Sequence, residues 1–147
     1  MSHIDDPFVA FSVSGRASYA AVDMADMFFA DQLQLLGVDT VFWVPGESFL
    51  SLLDGFYDHA ESIKTIVCRQ EGGAANMADA YAKFTGKPGI CAVTRGSGPT
   101  NDSNGVHTAF QDSTPMILLI GQVGRGMIDR EAFQEVDYRQ VFGQMAK

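Results

Sequence analysis

Apolar positions along this chain follow two alternating rhythms, and the alternation predicts the architecture. From residue 18 to about 36, Ala21, Met24, Ala25 and Phe28 recur at helical spacing, with Gly37 as the stop. Short apolar runs at 40–44, 63–68, 89–94 and 116–120 are predicted to be buried strands. Between them lie helical stretches. One spans 48–60 with Leu52, Leu53 and Phe56 inward, a second starts after Glu71, a third opens at Gly96-Ser97-Gly98 with Pro99 near its first turn, and a last one covers about 131–142. Residues 1–16, with Gly15 and three serines, show no clear period and are expected to be a flexible lead-in to one domain over 17–147. Strands alternating with helices call for an α/β fold in three layers, a parallel sheet with helices on both faces.

Composition narrows the chemistry. With 147 residues and 46% hydrophobic positions the chain can fill one core. A net charge of −8 and a pI near 4.6 give no basic footprint for nucleic acid or an anionic membrane. Cys68 and Cys91 each sit inside a strand pattern, which favours buried free thiols and a reducing, cytoplasmic setting. No apolar run reaches membrane-spanning length, and Asp5 and Asp6 stand where a secretory leader would be basic. His3, His59 and His107 are too scattered in sequence to suggest a metal site.

The candidate chemistry centres on Glu71, a carboxylate among small residues at the corner between the second strand and the helix beginning Gly72-Gly73-Ala74-Ala75. Ligands of open α/β sheets bind at such corners. A helix-capping role for the same carboxylate is the alternative that position alone allows. Gly96-Ser97-Gly98 follows a strand and opens a helix, as a dinucleotide fingerprint would. However, Asn101 occupies the third glycine position, the ribose-binding acid is missing, and there is no Walker lysine. Gly46-Glu47-Ser48-Phe49-Leu50 has the outline of a hydrolase nucleophile elbow but lacks its final glycine.

The run RQEGGAANMADAYAKFTGKPGICAVTRGSGPTN, with Val44-Pro45-Gly46 upstream and STPMILLIGQV and EAFQEVD downstream, resembles the pyrimidine-binding (PYR) domain of thiamine-diphosphate enzymes, in particular the acetolactate synthase-like group. The resemblance covers about residues 18–147 and implies a PYR fold that is C-terminally incomplete. It implies that Glu71 hydrogen-bonds the pyrimidine nitrogen N1′ of thiamine diphosphate and drives the ring toward the tautomer that deprotonates the thiazolium. Pro45, Gly46 and Glu47, together with Thr94, Ser97 and Asn101, match cofactor-binding positions, while Phe133 and Gln134 match a segment bordering the substrate channel.

The chain also departs from the pattern. Glu47 replaces a glycine found in many relatives, Gln70 a histidine, Gly72 a glutamine and Arg95 a serine, while Ser97 and Pro99 replace proline and alanine. A charged Glu47 would narrow and acidify the pocket. Bland roles stand beside these: Glu47 as an acidic helix opener, Asn101 as a turn cap, Phe133 as a core anchor for the last helix.

The GDG motif that holds magnesium and the diphosphate in the family's PP domain is not found here, so Mg2+ is expected to be held by a PP domain in the same longer chain or in a separate subunit. The resemblance implies a homodimer or tetramer acting on a 2-oxo acid as a lyase or transferase. Flavin (FAD), present in some relatives, is not inferable from these residues. The rival expectation is a non-catalytic PYR-like dimerisation or regulatory domain.

Overall fold

A computed structural model describes residues 8–14, by their backbone, and 28–146. Among the described residues five parallel strands form one sheet: β1 (Phe8–Ser14), β2 (Thr40–Trp43), β3 (Lys64–Val67), β4 (Gly89–Val93) and β5 (Met116–Gln122). Their order is β1-β5-β4-β2-β3. The described part of helix α1 covers 28–35. It is followed by α2 (Leu50–Asp58), α3 (Glu71–Thr85), α4 (Ser97–Gln111) and the short α5 (Tyr138–Phe142).

Strand periodicity sorts the core into two halves, one on each face of the sheet. Val41, Ile90, Ala92 and Leu119 point toward Ala30 and Leu33 of α1 and Leu52 and Phe56 of α2. Their neighbours Phe42, Cys91, Val93, Leu118 and Ile120 point the other way, into Ala74, Ala75 and Ala78 of α3, Val106 and Ala109 of α4 and Phe142 of α5. The three-layer α/β arrangement read from the sequence is therefore the one observed. Small residues let α3 and α4 pack closely: a Cβ on Gly105 would lie 2.5 Å from that of Ala75.

Four expectations need correction. Residues 8–14, read as part of a lead-in, form the edge strand β1, in register with β5 from Phe8 opposite Met116 to Ser14 opposite Gln122. The strand expected to be buried at 63–68 is an edge strand paired only with β2 among the described residues, and Val67 is 59% exposed. Phe28, placed on the buried face of the first helix, is exposed, and Ala30 and Leu33 carry the burial instead. Ala21, Met24 and Ala25 lie outside the described residues. The helix expected over 131–142 is confined to Tyr138–Phe142. Asp129, Glu131 and Gln134 before it have positive φ, and the Glu135 carboxylate accepts from the backbone N–H groups of Asp129 (2.6 Å) and Ala132 (3.2 Å). The Glu135 side chain thus closes a turn over residues that depart from helical backbone, and Asp137 caps the short helix that follows.

Candidate functional site

The topology fixes where a ligand would bind. From β2 the chain turns to one side to build β3, then crosses back to place β4 on the other side of β2. Between β2 and β4 it therefore leaves a crevice at the C-terminal edge of the sheet. The turn after β2 carries Pro45, Gly46 and Glu47, the corner after β3 carries Glu71, and the segment after β4 carries Thr94 to Ser97.

Glu71 is the first residue of α3 and is half-buried. It does not cap its helix: Gln70 is the N-cap, its side-chain oxygen accepting the Gly73 N–H at 2.7 Å. That leaves the Glu71 carboxylate to Asn101, whose Nδ2 donates to Oε2 at 3.0 Å across 30 residues. Asn101 lies inside α4, so the turn-capping alternative does not describe it. A Cβ on Gly72 would stand 2.9 Å from the Asn101 carbonyl, so the glycine lets the two helices approach closely enough for this contact.

Behind the pair lies a residue that sequence reasoning passed over. Asp102 is fully buried, with its Oδ1 3.9 Å from the Cys91 thiol and its Oδ2 without a partner among the described residues. Burial, and secondarily the charge of Glu71, pushes its carboxyl up to about 8. The signal was available, since Asp102 falls on the stripe formed by Gly98, Gly105, Val106 and Ala109 that α4 turns inward.

On the other side of the crevice the backbone comes close to a side chain. A Cβ on Gly46 would fall 2.1 Å from that of Thr94, and the Thr94 hydroxyl is 2.8 Å from that of Ser48. Glu47 and Arg95, two of the departures noted above, form a bidentate ion pair: Nη1 to Oε2 at 2.7 Å and Nη2 to Oε1 at 2.6 Å. The charge expected to acidify the pocket is thus matched by a guanidinium. Arg95 Nε also donates to the Phe133 carbonyl at 2.9 Å.

The loop over this edge is held at further points. The Gly96 N–H donates to the Tyr138 hydroxyl at 2.7 Å, and Gly96, at φ 76°, has no room for a Cβ beside Gln134. Phe133 is 75% exposed, and Tyr138 and Phe142 anchor α5 in its place. Pro45 and Ser97 are exposed at the same edge.

The geometry defines an α/β half-site: a half-buried carboxylate held by an amide, and a glycine turn that the Thr94 side chain keeps free of a side chain of its own. The chain belongs to the thiamine pyrophosphate enzymes, the model of whose N-terminal TPP binding domain matches residues 16–141. It is 44% identical over 115 residues to the acetolactate synthase large subunit of Pyropia yezoensis, an alignment covering 77% of this chain and 19% of that protein. The isozyme 2 large subunit of acetolactate synthase from Escherichia coli (strain K12) is 43% identical over 105 residues, covering 71% and 19%. An acetolactate synthase large subunit of Mycobacterium tuberculosis (strain CDC 1551 / Oshkosh) is 41% identical, covering 71% and 17%. The chain therefore spans about a fifth of the length of these relatives.

The family implies thiamine diphosphate, and the residues present fit its pyrimidine end. Among the described residues Asn101 takes only Oε2 of Glu71, so Oε1 is left without a partner, and the Gly46 backbone packs directly on Thr94. For the diphosphate end, no group of three or more His, Cys, Asp or Glu side chains that could hold a metal occurs among the described residues. No helix among them is long and apolar enough to cross a membrane.

Proposed function

We propose that this domain is the aminopyrimidine half-site of a cytoplasmic acetolactate synthase-like enzyme that decarboxylates or ligates 2-oxo acids, with Glu71 as its proton-handling group. The observation that carries the reading is the Asn101 to Glu71 hydrogen bond, which orients the carboxylate from a second helix while one oxygen stays open. When bound, thiamine diphosphate supplies the nucleophilic carbon that attacks the substrate carbonyl and takes up the electrons released as carbon dioxide leaves. Glu71 Oε1 would share a proton with the pyrimidine nitrogen, and the Asn101 amide, by donating to Oε2, would keep that proton on Oε1. Gly46 and Thr94, which pack on each other, would border the ring, with Pro45, Glu47 and Ser97 nearby. Mg2+ and the diphosphate belong to a PP domain in a longer chain or a second subunit, in a homodimer or tetramer.

Glu71→Gln tests the role of the carboxylate. In the native assembly it should lower turnover by about a hundredfold or more while magnesium-dependent cofactor binding persists. Turnover close to wild type would overturn the assignment.

A further inference from the structure

Arg95 is a half-buried cation at this edge of the sheet. It directly follows Thr94 in the chain, its side chain is only 15% exposed, and it sits in the wall formed by the turn after β2 and the loop carrying Phe133. A guanidinium binds a carboxylate best through two parallel N–H groups, and it has two outer edges that offer them. Glu47 occupies one edge through Nη1 and Nη2. The Phe133 carbonyl occupies Nε, which the other edge needs. Neither edge is open to a ligand. The pair is also a poor candidate for a stability device, because Glu47 is 59% exposed and ion pairs with an exposed partner contribute little.

We propose that Glu47 is a built-in carboxylate that closes Arg95 to substrate carboxylates and so sets specificity: the site takes 2-oxo acids with an uncharged side chain and rejects those carrying a second carboxylate. A dicarboxylic substrate would have to displace Glu47, which is tethered and already in place, to reach Nη1 and Nη2 of Arg95. A monocarboxylic substrate needs nothing from Arg95 and meets instead the exposed Phe133 ring on the loop that Arg95 holds. The inference rests on the 2-oxo acid reading above for its substrate class, and on the ion-pair geometry for the closure of Arg95.

The test uses the full native protein with Glu47→Ala and Glu47→Gln, whose exposed position leaves the fold intact. The ratio of kcat/KM for 2-oxoglutarate to that for 2-oxobutyrate should rise about tenfold or more in Glu47→Ala, through KM. The gain should vanish in the Glu47→Ala/Arg95→Ala double variant. Glutarate binding, measured calorimetrically, needs no turnover and should appear in Glu47→Ala, be absent in the wild type and be lost again in the double variant. An unchanged substrate ratio, or no gain of glutarate binding, overturns the filter. Full turnover by Glu71→Gln would instead overturn the catalytic reading, and the glutarate measurement would still decide the fate of Arg95.

Discussion

Asp102 shows how much one side chain at this site departs from ordinary behaviour. Its carboxyl is fully buried with one oxygen unpartnered among the described residues, and it keeps its proton up to about 8 against a usual value of 3.8. A raised folded-state value means the folded form holds a proton that the unfolded form has released. This residue therefore costs stability increasingly as pH rises from about 3.8 to about 8, at up to ~1.4 kcal/mol per pH unit. Asp102→Asn has no such titration. Urea unfolding at acidic and mildly alkaline pH should show the variant gaining on the wild type by several kcal/mol between the two conditions. A gap that stays constant with pH would mean that Asp102 is ionised in the fold.

At the scale of elements, the site depends on how closely α3 and α4 pack. Gly105 faces Ala75, and Gly72 faces the Asn101 carbonyl, so both contacts are made where side chains are missing. Gly105→Ala should push the helices apart, cost about 1–3 kcal/mol and weaken the Asn101 to Glu71 bond. Thermal melts would report the first effect, and reduced turnover at intact cofactor loading the second. Elements of this kind were legible in the sequence because helices such as α3 and strands such as β4 carry their own period. Strand β1 was not, since FVAFSVS takes its structure from partners more than a hundred residues away in β5. The loop before α5 was misread for a related reason. Its positive-φ residues Glu131 and Gln134 are not glycines, and the bonds that stabilise it come from Glu135, Arg95 and Gln122, whose Nε2 donates to the Val136 carbonyl at 2.9 Å. Glu71 was found from its corner and its neighbours. Its partner Asn101 and the pairing of Glu47 with Arg95 exist only once the sheet brings distant turns together, whereas the Gln70 cap is local, accepting from Gly73.

For the whole molecule, the charge groups together place the stability maximum on the acidic side of neutrality. Lys87, with Tyr81 and Thr40, holds the Asp39 carboxylate down to about 2. That contribution is fully present above about 3.8 and is lost as pH falls through about 2; Asp39 is partly exposed, so it is modest. His59 shifts upward, chiefly through the Gly55 carbonyl at 2.8 Å and then Asp31 at 2.7 Å, which ties α1 to the end of α2. Its contribution is present below 6.5 and is lost as pH rises through the higher folded value. Asp102 destabilises in the same alkaline direction. Self-repulsion from a net charge of −8 at pH 7 also fades toward the pI near 4.6. Three of the four effects weaken the fold between about pH 5 and pH 8, and only Asp39 opposes acidification below that range. A series of melts at low protein concentration should therefore give the highest Tm near pH 5, with a decline by pH 8 that Asp102→Asn largely removes. A maximum at or above pH 8 would show that neither the buried Asp102 nor the protonated His59 governs the balance.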